Sequence, residues 1–237
     1  MPRRLLPAVL AALALALAAC GDDEETADEA PSGGAAATTG TAATGETKPT
    51  EPASGCRRVE APEPKKVKVP RPKERLDAGR TWVAVVKTSC GTLEITLDVK
   101  ENPKTASSFA HLARRGFYDG LSFHRVVPGF VVQGGDPEGS GTGGPGYKTV
   151  EAPPDSTTYT RGVVAMAKAE LEKPGTAGSQ FFIVTAPDAQ LDPLYAVVGK
   201  VTEGEDVVDL LANVPNDPAD NRPTEPVIIE KVTIRGD

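Results

Sequence analysis

Two histidines, three cysteines and one tryptophan are all that this 237-residue chain contains of those residue types. The scarcity excludes whole classes of chemistry. Cys20, Cys56 and Cys90 stand far apart in sequence, and two histidines cannot complete a four-ligand zinc set, so neither a metal site nor a cofactor is expected. No Gly-x-Ser-x-Gly elbow accompanies His111 or His124, which argues against a hydrolase triad. His111 reads as a surface or capping residue of a helix, and His124 as a hydrogen-bonded structural one. A surplus of positive charge is missing too. Of 33 acids and 26 bases, residues 1–54 hold eight and three, so 25 and 23 remain and the formal charge of -7 belongs mostly to the first quarter. A nearly neutral remainder lacks the basic footprint of a nucleic-acid binder. The longest apolar run, Leu5 to Ala19, falls short of the about 20 residues that span a bilayer.

That run follows Arg3 and Arg4, and a basic start before a short apolar stretch is a secretory signal. Its end, Leu17-Ala18-Ala19-Cys20, resembles the bacterial lipoprotein processing site. The resemblance implies cleavage before Cys20 and lipid on that cysteine, with more than one acyl chain for a stable anchor. The expected location is therefore outside the cytoplasm, lipid-anchored to the outer face of the cell membrane or to its periplasmic face. From Gly21 almost no large apolar side chain appears until Val59, so the segment cannot offset its ordering entropy and is expected to be a disordered tether. A flexible coil of roughly 35 residues reaches on the order of 30 Å. With Cys20 assigned to lipid, Cys56 and Cys90 remain as a pair in an oxidising compartment, where a disulfide is expected. The organisation read from the chain is thus a signal over 1–19, a lipidated acidic tether over 20–55, an approach segment over 56–80 and a folded domain over 81–237. Pro62, Pro64, Pro70 and Pro72 among the lysines of 57–80 favour extended, solvated chain.

Beyond residue 81 the pattern is strand-like. Trp82–Thr88 and the alternation of Leu93, Ile95 and Leu97 around a Ser89-Cys90-Gly91 turn predict a hairpin with one buried face. Asn102-Pro103 predicts a helix start, with Asn102 as cap and Gly116 as stop. Further strands are expected over 122–127, 130–133, 163–167, 180–184, 196–201 and 226–234. A second helix is expected from a Thr202/Glu205 capping box. Eight short strands and two helices suggest a closed all-β barrel whose ends need covering. Gly139 to Gly144 matches a dinucleotide glycine fingerprint in letters, but Pro145-Gly146 follows in place of a helix, so it reads as a surface loop.

The most informative stretch is Phe123-His124-Arg125-Val126-Val127-Pro128-Gly129-Phe130-Val131-Val132-Gln133-Gly134-Gly135-Asp136. Strict alternation puts Phe123, Arg125 and Val127 on one strand face, and a cation on an apolar face needs a partner or a task. Together with Met166-Ala167-Lys168-Ala169, Gly178-Ser179-Gln180-Phe181-Phe182-Ile183, Leu191-Asp192 and Tyr195-Ala196-Val197-Val198-Gly199-Lys200-Val201, it resembles the signature of cyclophilins over roughly residues 82–235. The resemblance implies an eight-stranded antiparallel barrel capped by two helices, and a peptidyl-prolyl cis-trans isomerase that assists folding of extracytoplasmic proteins. Arg125 is then the donor to the twisted prolyl amide. Phe130, Met166, Phe182 and Leu191 form the proline pocket, and Gln133 holds the substrate backbone. Ala167, Lys168 and Ala169 offer backbone to an extended peptide, beside Gln180. Tyr195 walls the pocket where many relatives have His. Partners are X-Pro peptides and unfolded exported chains, with the protein acting as a monomer. A non-catalytic peptide-binding or chaperone module on the same barrel is the alternative. Three departures from the family stand out: Lys168 in place of Asn, Gln190 in place of a Trp that helps bind cyclosporin, and a longer 170–177 loop.

Overall fold

The computed structural model describes residues 55–237, so the signal, Cys20 and the tether lie outside the described residues. Twelve elements follow in order: β1 (Trp82–Thr88), β2 (Gly91–Leu97), α1 (Pro103–Arg114), β3 (Leu121–Val127), β4 (Val131–Gly134), β5 (Thr149–Val150), β6 (Val163–Met166), β7 (Thr176–Ala177), β8 (Phe181–Val184), β9 (Val197–Glu203), α2 (Glu205–Ala212) and β10 (Ile228–Gly236). Eight strands close a barrel in the order β1-β10-β3-β4-β8-β6-β9-β2, every pairing antiparallel. The expected hairpin is present, with Ala84 opposite Ile95 and Val86 opposite Leu93, all four buried inside. Closure leaves no free sheet edge, which suits a barrel built of short strands. The two-residue ladder of β5 and β7 stands apart; elements so short carry no periodicity for a sequence to display.

The interior is filled by alternate residues of the strands and closed by the helices. Phe109 of α1, Tyr118 and Phe181 of β8 stack within 4.9 to 5.6 Å of one another, and all three are fully buried. Burying each such aromatic stabilises the fold by about 1.5–3 kcal/mol. The Tyr118 phenol is pushed well above its ordinary titration range by burial.

Three local expectations need correction. Asn102 does not cap α1 with its side chain; its amide donates to Asp98 Oδ2 at 2.7 Å instead. The helix start is capped from elsewhere, by the Glu151 carboxylate, which accepts from the backbone N–H of Lys104 (3.1 Å) and Thr105 (2.7 Å). Nor does Thr202 cap α2. It remains in β9, where its hydroxyl meets that of Thr96 at 3.1 Å, and Gly204 occupies the cap position at φ +80°. A side chain there would press to 2.5 Å from the Thr92 carbonyl, so only glycine fits. Finally, alternation fails along β3. Phe123 faces Gly134 and Arg125 faces Gln133, leaving His124 as an extra residue. This bulge turns Phe123 and Val126 inward and leaves Arg125 and Val127 outside.

Residues 56–80 are not merely solvated. Cys56 and Cys90 form a disulfide, and the Arg57 N–H donates to the Ser89 carbonyl. Farther on, Lys65 N–H donates to Pro137 O, Val69 N–H to Pro145 O and Leu76 N–H to Ser107 Oγ. Val67 and Val69 pack against the core. Valines alternating with Lys66 and Lys68 give extended chain one face to bury, which the prolines alone did not reveal.

Candidate active site

Antiparallel partners share a face. Across β3, β4, β8 and β6 the register reads Arg125 opposite Gln133, Gln133 opposite Phe182, and Phe182 opposite Ala165. The four side chains therefore form one row on the outside of the barrel, and the His124 bulge is what brings Arg125 into it. Around the row lies a second apolar cluster, separate from the interior. Val131, Tyr159, Ala165, Phe182, Val184 and Ala186 are its buried members, and Val127, Phe130, Leu191 and Tyr195 are among those packed partly buried around them. The turn Val127-Pro128-Gly129-Phe130 presents Phe130: Phe130 N–H donates to Val127 O, and Gly129 at φ +66° supplies the left-handed residue that follows proline in a type II turn. Tyr195 stands edge-on to Phe182 with ring centroids 5.4 Å apart.

Sequence reasoning missed Tyr159, yet it anchors this wall. Its hydroxyl donates to the Tyr195 carbonyl (2.7 Å) and accepts the Tyr195 N–H (2.9 Å). Burial raises its titration range, so the phenol keeps the proton that it donates. Val131 was likewise overlooked. Met166, expected in the proline pocket, is 1 % exposed and belongs to the interior. The reason is register: Ala165 pairs with outward Phe182, so the next residue along must point in.

The polar side of the site is a chain of amides. One Arg125 guanidinium nitrogen donates to Gln133 Oε1 at 3.3 Å, and Gln133 Nε2 donates to Gln180 Oε1 at 3.0 Å. Gln180 Nε2 donates to Gly143 O at 3.0 Å. Among the described residues, the Arg125 guanidinium has no carboxylate partner and no other hydrogen bond, so most of its five N–H donors stay available. Asp136 fixes the far end of the chain. Buried to 1 % exposure, its carboxylate accepts N–H bonds from Glu138 (2.8 Å), Gly141 (2.6 Å) and Gly143 (3.2 Å). The glycine-rich loop is thus wrapped around a carboxylate, and it runs on to β5 with no helix for a pyrophosphate to meet.

Ala167 N–H donates to Gln180 O and Ala169 N–H to Glu172 Oε2, while the Lys168 N–H between them has no partner among the described residues. The Lys168 ammonium turns back onto the carbonyls of Ala169 (2.9 Å) and Glu170 (3.2 Å) and lies 5.9 Å from the centre of the Tyr195 ring. Gln190 is exposed, at φ +51°. A groove of about 940 Å³ continues from this polar side, sharing Gln133, Gln180 and residues 167–169 with it. His124 does not hydrogen-bond as expected. Both ring nitrogens are buried without a partner, and burial pulls its titration range down, against the pull of Asp136 and with the repulsion of Arg222 and Arg125.

Residues 83–234 match the family model described as cyclophilin type peptidyl-prolyl cis-trans isomerase/CLD. The chain belongs to this family. It is 40 % identical over 169 residues to peptidyl-prolyl cis-trans isomerase B of Streptomyces anulatus, covering 64 % of this chain and 95 % of that one. It is 46 % identical over 121 residues to peptidyl-prolyl cis-trans isomerase B of Bacillus subtilis, covering 51 % and 83 %. A crystal structure of a Cryptosporidium parvum cyclophilin superposes with TM-score 0.62 at 32 % identity, covering 66 % of this chain and 99 % of that one. The same protein was solved in the presence of the dipeptide Ala-Pro, with TM-score 0.61. This cyclophilin is therefore a peptidyl-prolyl cis-trans isomerase, on the eight-stranded barrel with two helices that the family shares.

Proposed function

We propose that Arg125 carries the isomerisation, by donating to the prolyl nitrogen of a twisted X-Pro amide, and that the substrates are extracytoplasmic chains met by a membrane-anchored enzyme. An X-Pro bond prefers trans by only about 0.5–1 kcal/mol yet interconverts over tens to hundreds of seconds. The barrier is lost amide resonance, about 18–20 kcal/mol for peptide bonds in general. In the twisted state the nitrogen regains a lone pair, and a donor aimed at it acts only there, which lowers the barrier without tightening the ground state. The observation that carries this is the row of Arg125, Gln133 and Phe182. It sets a guanidinium with no carboxylate partner among the described residues beside an apolar wall fit for a proline ring. Phe130, Phe182, Leu191 and Tyr195 grip that ring, Gln133 orients the guanidinium and the substrate carbonyl, and the free Lys168 N–H takes a substrate carbonyl. The relative solved in the presence of Ala-Pro supports a dipeptide of that kind as the core ligand. The reaction moves no proton and forms no covalent intermediate.

The anchor rests on sequence: the signal, Cys20 and the tether. A Cys56–Cys90 disulfide suits an oxidising compartment and supports export. Acceleration of cis-to-trans conversion in a short Ala-Pro peptide tests the activity, and a folded protein that gives none would contradict it. Labelled palmitate incorporated by the parent and lost in Cys20→Ser tests the anchor; equal labelling of both would overturn it.

A further inference from the structure

We infer that residues 65–69 are a specificity strap, which selects substrates with an acidic side chain flanking the X-Pro dipeptide. The inference rests on the isomerase assignment and goes beyond it. The strap precedes residue 83, where the match to the family model begins, so it lies outside the part of the chain that the model describes. It nevertheless builds one wall of the groove that continues from Gln133 and Gln180, with Lys66, Val67 and Lys68 facing the glycine-rich loop and residues 167–169.

The strap is held at both of its ends. Lys65 N–H donates to Pro137 O and Val69 N–H to Pro145 O, the two ends of the glycine-rich loop. Extended chain alternates, so Val67 and Val69 turn to the core while Lys66 and Lys68 stay exposed beside the groove. Lys65 is spent differently, its ammonium donating to Asp119 O at 3.2 Å. The Lys68 side chain lies against Gly146, where an added Cβ would come within 3.2 Å of it.

Charge sets the selectivity. The groove is lined by Lys66, Lys68, Lys148, Lys168, Glu138 and Glu172. Lys148 and Glu172 pair with each other, and Lys168 is bound to backbone carbonyls. Among the described residues Lys66 and Lys68 make no ion pair, and with Lys168 they outnumber Glu138. A peptide whose proline sits on the apolar wall must run past Gln133 to leave along this groove, and there its neighbouring side chain meets two exposed ammonium groups.

The test is kcat/KM of the full-length protein in detergent for Ala-Pro peptides carrying Glu or Lys two residues before the proline, or two residues after it. In one of the two registers the Glu peptide is expected to be favoured roughly three- to ten-fold, within the range for two exposed ion pairs, and the preference shrinks in high salt. Lys66→Glu/Lys68→Glu inverts the ratio, and Lys66→Gln/Lys68→Gln brings it close to one. Lys231→Glu, an exposed charge reversal on β10, leaves the ratio as it was. A ratio near one in both registers, or one that the double variants leave unmoved, overturns the strap. If no peptide is accelerated, the isomerase assignment fails instead, and titration of the same peptides still decides: tighter binding of the Glu peptide that reverses in the double variant sustains the basic wall, and equal binding ends it.

Discussion

Asp136→Ala is expected to destabilise the protein by about 3–5 kcal/mol while also slowing the enzyme. The carboxylate is 1 % exposed and accepts three backbone N–H bonds, at 2.6, 2.8 and 3.2 Å. Removing one partner of a hydrogen bond leaves a donor that costs about 1–3 kcal/mol if it stays buried, with charged acceptors at the upper end. Three donors set a ceiling near 9 kcal/mol by the same values, but all three are only part-buried and the freed loop can turn some of them to water. That relaxation brings the expectation down, and it is also what harms catalysis. Gly143, released from Asp136, no longer offers its carbonyl to Gln180, so Gln133 and then Arg125 lose their alignment. Asp136→Asn retains one acceptor oxygen and is expected to lose less, about 1–2 kcal/mol. Urea unfolding gives the stabilities and the Ala-Pro peptide gives kcat/KM. A loss under 1 kcal/mol for Asp136→Ala, with unchanged kcat/KM, would refute the reasoning.

Glu151→Ala removes the carboxylate that caps α1 and is expected to lower stability by about 0.5–2 kcal/mol, whereas Asn102→Ala, which caps nothing, should lose less; the reverse order in denaturant titration would restore Asn102 as the cap. Tyr159→Phe leaves the Tyr195 N–H and carbonyl without their partner, an expected loss of about 1–3 kcal/mol with a raised KM as the wall loosens; unchanged KM would detach Tyr159 from the site. Burial lowers the titration range of His124. The unfolded chain therefore binds a proton near pH 6.5 that the folded state refuses, so its effect is nil above that pH and stability falls as the pH drops below it. His124→Gln should flatten the melting temperature between pH 7 and 5, and an unaltered slope there would contradict this.

The strands and helices were legible because each buries one face, and alternation in Trp82–Leu97 or the apolar stripe of α1 follows from that. What escaped were contacts between residues far apart in sequence. Glu151 caps backbone N–H groups 46 and 47 residues away, and no local pattern marks it. Asn102 looked like a cap by type, but Asp98 was nearer to its amide. The bulge at His124 has no residue signature and reverses the facing of half a strand. It hid the fact that Arg125 and Phe123 lie on opposite faces. Met166 was misplaced for a similar reason, since motif letters do not state which way a residue points. Arg125, Phe130, Gln133, Phe182, Leu191 and Tyr195 do meet on one outer face; strand alternation had singled out Arg125, and the resemblance had named the others. Val67 and Val69 were visible as an alternation among lysines and were overshadowed by the prolines.

The most direct measurement separates binding from rate in Arg125→Ala and Arg125→Lys. NMR exchange on an Ala-Pro peptide gives both the affinity and the catalysed interconversion. If Arg125 acts on the twisted amide, Arg125→Ala keeps the peptide affinity within a few-fold while the interconversion rate falls by two orders of magnitude or more, about 2.7 kcal/mol of barrier. Arg125→Lys is expected to recover only part of that rate, because a point charge lacks the planar fork of donors. A rate that survives in Arg125→Ala, or a loss fully explained by weaker peptide binding, would contradict the assignment of Arg125.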